Sequence, residues 1–499
     1  MTITEHFSNT CLRMNNKIAL VDIKKQYTFI DIYNYAGKIS AYIHKNYQLC
    51  GDGIGIFING SAESLILILG IICSGNYYIP INSENPQELI NETIALTNPK
   101  LLLSPNNCKT ATLIPSGTPL VFINEILNCT QELLFKNVTD ESPLYAILTS
   151  GSTGHPKIIL KNHLSMDEFI INFTHCFDID ETENIGNQIP FYSDAAQKEL
   201  YLLIYTGCRI TMIPQYYFAL PYALVSYINS HNITILPWVP SAFDVIVKFN
   251  ILKKDTFNGL KCTFWVGERI KRTSIEYWRN HFPHVRHVNI YGMSELAGIC
   301  TYYNMNTELP EIIPIGTPLP HCTLTFWDGE SISSQGELLI SSCSLATSII
   351  TERGLQTIDT VTLCYNHHFL RFYKTGDYGY LDQSGNYVIT GRRDNMIKIN
   401  GYRIDTSDIE RTLERNTLVD NTSIIFYDNQ LFAFVALSDD FPEARKALRE
   451  FASQNLPRYS QPHTYYFLSS IPLNKNGKKD KTSLLNKLVL GEFNHGNPQ

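Results

Sequence analysis

Ten residues, LTSGSTGHPK from Leu148 to Lys157, set two glycines, two threonines, two serines and a lysine at the end of the apolar run LYAI. Small side chains let the backbone close on an anion, N–H groups and hydroxyls donate to phosphate oxygens, and Lys157 adds a positive charge. The spacing is not that of a GxxxxGK[ST] loop. Taken alone, the stretch is a phosphate cradle or a flexible polar surface loop.

Four further stretches carry ligand-binding residue types. NIYGMSE, Asn289 to Glu295, overlaps the strand-like HVNI and places an aromatic ring, a hydroxyl and a carboxylate at a strand end, where α/β enzymes hold ligands. YKTGD, Tyr373 to Asp377, ends in a carboxylate suited to a ribose diol, though a hairpin turn has the same look. GRRDNMIKINGYRID, Gly391 to Asp405, puts Arg392 and Asp394 where the character of the chain changes. PLNKNGKKDK, Pro472 to Lys481, is a basic loop. Alone, these last two also suit a charged linker and a solvated charge run.

The elements that must position these residues are legible in outline. At 499 residues and 44% hydrophobic, the chain has room for two or three domains with a real core. GIGIFIN, LLLS, PLVFI and ITILPW read as short strands between longer mixed segments, the pattern of strands and crossover helices. LILILGIIC, Leu65 to Cys73, is too short to span a bilayer and reads as a buried helix. After Asp394 come the short strands MIKI, SIIFY and LFAFVAL and two helix signals. One starts at Ser407 with Glu410 three residues on, a capping box; the other opens at Pro442 and stops before Pro457. The expected fold class is α/β: a large N-terminal multi-sheet α/β domain over residues 1–393, and a small C-terminal α+β domain over 394–499.

The formal net charge of -7 offers no basic field for nucleic acid or an anionic membrane, so a small-molecule substrate is expected. The N-terminal MTITEHFSNT lacks the order of a secretory signal, and a cytoplasmic location follows as the expectation. Twelve cysteines are scattered singly from Cys11 to Cys364 without a CxxC pair, which reads as free thiols.

Together and in this order, the five stretches resemble the adenylate-forming superfamily, in particular the stand-alone adenylation domains of nonribosomal peptide synthesis. LTSGSTGHPK matches that family's phosphate loop, the other four match NxYGxTE, YxTGD, GRxDxxVKIxGxRIE and NGKxDR, and SGNYYIPINSENP resembles AGxxYVPIDPxxP. The resemblance spans nearly the whole chain. Ser294 stands where the family usually has Thr, and Met293 where it commonly has Pro.

The resemblance implies ATP-dependent activation of an amino acid to its adenylate, with Mg2+, followed by transfer to a thiol. Thr149, Ser150, Gly151, Ser152, Thr153, Gly154 and Lys157 would hold the β- and γ-phosphates. Glu295 would bind Mg2+, Ser294 the α-phosphate, and Tyr291 would stack on adenine, with Gly267, Glu268, Asn289 and Gly292 in the same nucleotide site. Asp377 would take the ribose hydroxyls, assisted by Arg392. Lys478 would bridge the carboxylate and the α-phosphate in the transition state, as a compact charge on a flexible stem can. Asp394 matches the hinge about which the small domain swings. Asp194 aligns with the carboxylate that takes the α-ammonium of an amino acid. Ala195, Lys198, Phe264, Val266, Ile290, Gly298 and Ile299, with Pro237 or Trp238, would line the side-chain pocket. Lys198 would meet an acidic substrate or extend its ammonium to water, and a shift of one position would put Gln197 there instead.

Only eighteen residues follow NGKKDK, without a phosphopantetheine-attachment segment, so the acceptor thiol is expected in trans, on a carrier protein or on coenzyme A, with a carrier protein in trans as the leading expectation. Two readings compete: an acyl- or aryl-CoA ligase of the same superfamily, for which Asp194 would be incidental, and a catalytically silent nucleotide-binding regulator.

Overall fold

Two wide sheets with helices packed between and outside them carry most of the chain. The computed structural model describes residues 1–106, 108, 117–129, 132–149, 157–253, 256–346, 348–351, 354–392, 396–438, 442–473 and 479–493. The chain forms two compact units. One takes in Met1–Ser83, Ile94–Thr149 and Lys157–Arg393; the other is built on Asp394–Gln499, with Glu84–Thr93 assigned to it.

In the first unit, Gly53–Ile58 is buried at every residue and runs parallel to Tyr77–Asn82 and Leu101–Ser104. Among the described residues these belong to an eight-stranded sheet that continues through Pro143–Thr149 and Lys157–Asn162. Among the same residues a nine-stranded sheet has the parallel strands Asn184–Asn187, Ile235–Trp238, Cys262–Val266 and Arg286–Tyr291 at its centre. The helix Ala62–Cys73 is buried at every residue except Glu63. A helix that is apolar all round must lie inside the protein rather than on its surface, and its side chains join one continuous core with those of the helices Phe29–Tyr47 and His163–Phe177. A third, antiparallel sheet holds Cys322–Trp327, Gln335–Ser342, His368–Leu381 and Tyr387–Arg392.

Among its described residues the second unit has a two-stranded hairpin, Met396–Ile399 with Tyr402–Asp405, and a three-stranded sheet of Val419–Tyr427, Gln430–Leu437 and Thr464–Leu468. The helix Pro442–Asn455 runs where the sequence places it. The capping box at Ser407 does not form. The helix is Thr406–Glu414, and its cap is Asp405, whose carboxylate accepts from the Ser407 N–H at 2.8 Å. An ionised carboxylate at a helix N-terminus is the stronger acceptor. Glu410 is thereby left to turn inward, where it accepts from the Ile424 N–H at 2.9 Å and meets Lys479 and Lys481.

Candidate active site

The phosphate-loop segment is carried by a hairpin. Pro143–Thr149 pairs antiparallel with Lys157–Asn162, and Thr149 stands opposite Lys157. Ser150, Gly151, Ser152, Thr153 and Gly154 lie outside the described residues, so the structure fixes the two ends of this expected cradle. At its far end Lys157 Nζ reaches Glu295 Oε1 at 2.7 Å. Glu295 is buried, whereas Lys157 keeps 17% of its side-chain surface. The residues expected to hold phosphate and Mg2+ are therefore neighbours.

Glu295 arrives there because the strand Arg286–Tyr291 doubles back at its end. The Cys300 N–H bonds to the Tyr291 carbonyl at 2.8 Å, and Thr301–Asn304 returns antiparallel, with Tyr291 opposite Thr301. The tight reversal requires glycine at both contact points. A Cβ on Gly292 would lie 2.3 Å from the Gly298 carbonyl oxygen, and one on Gly298 would lie 2.4 Å from the Phe169 ring. Asn289 ties the strand down by donating to the Pro314 carbonyl at 2.7 Å. Ser294 sits beside Glu295 on the same turn. Gly267 follows the strand Cys262–Val266 in a left-handed conformation, and Glu268 accepts from the Ser241 N–H at 3.0 Å, at the start of the helix Pro240–Phe249.

YKTGD is not a hairpin turn. It lies inside the long strand His368–Leu381, where Gly376 takes φ +75° as the pairing with Gln335–Ser342 slips register. That bulge re-aims Asp377. A true hairpin, closed by Asp382 accepting from the Ser384 and Asn386 N–H groups at 2.8 Å each, then brings Arg392 opposite Asp377. Arg392 Nη1 meets Asp377 Oδ1 at 2.8 Å and Nη2 donates to the Thr375 carbonyl at 3.1 Å. The Tyr291 hydroxyl donates to Asp377 Oδ2. Burial, then the neighbouring Asp377 charge, pushes the Tyr291 phenol well above its usual range. The structure thus unites three residues expected at one nucleoside, with Tyr291 anchored by its hydroxyl to the Asp377 carboxylate.

The expected pocket residues divide by sheet face. Pro237 stands opposite Phe264 in register, and Val266 opposite Ile290, so these four share one face with Phe264 packing against Phe173 and Phe177. Trp238 pairs with Trp265 on the other face, packs on Phe243 and donates its indole N–H to the Gly186 carbonyl at 2.9 Å. Of the alternatives Pro237 and Trp238, it is Pro237 that lies with Phe264. Ile299 is buried, and Ala195 is half-buried at the start of the helix Asp194–Thr206.

That helix carries the two residues whose surroundings depart most from expectation. Lys161, in the strand Lys157–Asn162, is wholly buried and places Nζ 2.7 Å from Asp194 Oδ1 and 2.8 Å from the Leu296 carbonyl, over the Tyr145 ring. Tyr145 donates to the same Asp194 oxygen at 3.1 Å. Asp194 therefore already has a cation within the chain. Burial pulls the Lys161 ammonium below its usual range and raises the Asp194 carboxyl, each offset by the other's charge. Lys198, 2% exposed, does not extend to water; it pairs with Glu199 at 3.3 Å and donates to the Ala195 carbonyl at 2.5 Å. Glu199 also accepts from Asn187 at 2.6 Å. Gln197 bonds to the Tyr78 hydroxyl and the Phe191 carbonyl, at 2.6 Å each. Sequence reasoning passed over Lys161 and Tyr145. The available signal was a lysine directly after the apolar run IIL of a strand, Ile158 to Leu160.

In the second unit, Lys478 and the hinge position Asp394 lie outside the described residues. The segment that carries Lys478 is bounded by a bridge between Leu473 and Lys479. Lys479 Nζ is held by Glu410 and Glu414 at 3.0 Å each and by the Thr422 carbonyl at 2.6 Å. Burial lowers its proton affinity, but the two carboxylates outweigh that and raise it.

Residues 7–349 match the family described as AMP-binding enzyme. The chain is 27% identical over 500 residues to bacitracin synthase 1 of Bacillus licheniformis, covering 97% of this chain but only 9% of that protein. It is 24% identical over 520 residues to the D-alanine–D-alanyl carrier protein ligase of Bacillus cytotoxicus, covering 98% of this chain and all of the relative. Among solved structures, an artificially fused adenylation–PCP di-domain from Klebsiella oxytoca superposes with a TM-score of 0.80 at 21% identity, covering 98% and 97% of the two chains. At these identities the structural likeness speaks for the fold: a large multi-sheet α/β domain with a small C-terminal one.

Proposed function

Because the chain belongs to the AMP-binding enzyme family, we propose that it is an adenylate-forming acid–thiol ligase. It activates a carboxylic acid with ATP and passes the acyl group to the phosphopantetheine thiol of a separate carrier protein. In the first step a carboxylate oxygen of the acid bonds to the α-phosphorus, the bond from that phosphorus to the bridging oxygen breaks, and pyrophosphate leaves. In the second the thiol sulfur bonds to the acyl carbon, its proton passes to solvent, and AMP leaves. A free carboxylate is a poor acyl donor, and the first step converts its leaving group from oxide to AMP.

The observation that carries this reading is the meeting of Tyr291, Asp377 and Arg392 in one cluster. Asp377 would accept from the ribose hydroxyls and Tyr291 would present its ring to adenine, beside Gly267, Glu268, Asn289 and Gly292. Thr149, the loop from Ser150 to Gly154, and Lys157 would cradle the phosphates, with Ser294 at the α-phosphate. A single carboxylate, Glu295, suits Mg2+, which takes most of its oxygens from substrate phosphates and water. Bound there, the ion would neutralise phosphate charge, and Lys157 would turn from Glu295 to the nucleotide. Lys478 would stabilise the charge that builds at the α-phosphorus, and rotation at Asp394 would then withdraw it for the thiol step. A relative matched along its whole length is named a carrier protein ligase, which supports a carrier in trans as the acceptor.

Acid-dependent exchange of pyrophosphate into ATP tests this reading: exchange with some acid of a broad panel is expected, and none at all with AMP still bound would refute it. The amino-acid assignment relied on Asp194 awaiting a substrate ammonium. The pairing of Asp194 with Lys161 favours an acyl or aryl acid over an amino acid, which is the acid of a second reading with coenzyme A as acceptor. Supplying coenzyme A or a phosphopantetheinylated carrier to the preformed adenylate separates the two acceptors.

A further inference from the structure

We infer that Lys161 is a specificity-determining residue: it occupies Asp194 from within the chain, so the acid activated at this site carries no ammonium beside its carboxylate. The inference rests on the adenylate-forming reading and names the class of acid, an uncharged aliphatic, hydroxy or aryl carboxylic acid.

Place and charge balance support it. Lys157 and Lys161 lie one above the other on the same strand face region, four residues apart, and each reaches the same turn: Lys157 to Glu295, and Lys161 to the carbonyl of the next residue, Leu296. Asp194 and Lys161 both lie within electrostatic reach of Glu295. The Asp194–Lys161 pair is therefore one step from the end of the site where the phosphates and metal are expected. An ammonium has three donors. Two of those of Lys161 go to Asp194 and Leu296, and the charge sits 5.1 Å above the Tyr145 ring.

The pair is also held rigidly. Tyr145 donates to Asp194, its ring stacks with those of Tyr78 and Tyr201, and the Tyr78 hydroxyl bonds to Gln197 and Tyr201 at 2.6 and 2.8 Å. The other carboxylate of the same helix, Glu199, is matched by Lys198 and Asn187. Both negative charges on this helix thus have partners inside the protein. A substrate ammonium would add a second positive charge against Lys161 in a poorly solvated place, where like charges repel strongly and the charge of Asp194 is already matched. An uncharged substituent meets no such opposition. Specificity here works by rejection as much as by attraction.

The test is acid-dependent pyrophosphate exchange with matched pairs, each α-amino acid beside its 2-hydroxy and its desamino analogue, together with aryl and short aliphatic acids. It uses the full chain, Lys161→Met, and Lys161→Met/Asp194→Asn. The parent should favour the analogues without ammonium over the matched amino acid by at least about tenfold in kcat/KM. Lys161→Met frees Asp194 and should shift that ratio toward the amino acid by at least about tenfold. The double variant buries no unpaired charge, so it keeps the test open if the single variant fails to fold; it should accept analogues and gain nothing for amino acids. A parent that prefers amino acids overturns the inference while leaving adenylation intact, as does an unmoved ratio in Lys161→Met. An absence of exchange with every acid removes the adenylation reading, and this inference with it.

Discussion

Replacing Asp377 by alanine separates nucleoside binding from the rest of the site. An ionised carboxylate offers about four acceptor positions. Arg392 takes one on Oδ1 and the Tyr291 hydroxyl one on Oδ2, which leaves two for the two ribose hydroxyls. Hydrogen bonds to a charged acceptor contribute about 1.5–3 kcal/mol each, and the neighbouring guanidinium already offsets part of this charge, so the lower figure applies. Losing both should cost about 3 kcal/mol, or roughly a hundredfold in the Kd for AMP. Titration calorimetry with AMP measures this without knowledge of the acid. The parent should bind 2′-deoxy-AMP about tenfold more weakly than AMP, whereas Asp377→Ala should bind the two alike. Arg392 keeps 19% of its side-chain surface and can turn to water, so the variant should remain folded. An AMP affinity within threefold of the parent, or a 2′-deoxy penalty that persists in the variant, would refute the assignment of Asp377 to the ribose.

Lys478→Ala should reduce pyrophosphate exchange at least about a hundredfold while AMP binds as before, because a transition-state contact is lost and a ground-state one is not; exchange near the parent rate would remove Lys478 from the chemistry. Lys198→Leu should destabilise the chain by about 3–5 kcal/mol in denaturant unfolding, because it leaves Glu199 buried without its cation. Lys198→Leu/Glu199→Leu should recover most of that loss. His321 is pulled down to about 4 by burial, and both its ring nitrogens lack a partner among the described residues. Between that value and the ordinary 6.5 the folded chain binds fewer protons than the unfolded one, so this group's contribution is present above pH 6.5 and is lost as pH falls toward 4. His321→Phe should remove that loss, retaining up to roughly 3 kcal/mol more stability than the parent at pH 4 in pH-stepped thermal unfolding.

Local signals were legible where a residue's own chemistry decides its place. The apolar run Leu65–Cys73 could only be buried, and Pro442 opens its helix as its backbone requires. Motif order led to the cluster of Tyr291, Asp377 and Arg392, although those residues are far apart in sequence. What stayed hidden depends on partners supplied by distant strands. Nothing near Ser407 reveals that Asp405 outcompetes it for the helix end, since both are good caps and the choice turns on where the hairpin Met396–Asp405 delivers the chain. Whether Pro237 or Trp238 shares a face with Phe264 is a matter of register, and a slip of one residue exchanges the faces. Lys161 and Asp194 are 33 residues apart, and their pairing follows from the strand and helix that present them rather than from either neighbourhood.

The ion pairs of the site fall into two kinds, and the difference bears on what each can do. Lys157 and Arg392 keep 17% and 19% of their side-chain surface, so each can leave its carboxylate, pass through partly solvated positions and take up a phosphate or sugar oxygen instead. Such partner exchange costs little, because neither cation loses its contact with water. Lys161 and Lys198 keep none and 2%. For them, parting from Asp194 or Glu199 would strand a charge in a place that burial already makes unfavourable, as the lowered proton affinity of both lysines and the rise of Glu199 to about 7 reflect. In the proposed site, exchange would therefore be available toward the nucleotide and closed toward the acid. A polyanion that brings its own metal would be met by cations that can move, while the acid would meet a wall whose charges are already matched and that would select it by shape and by the absence of charge.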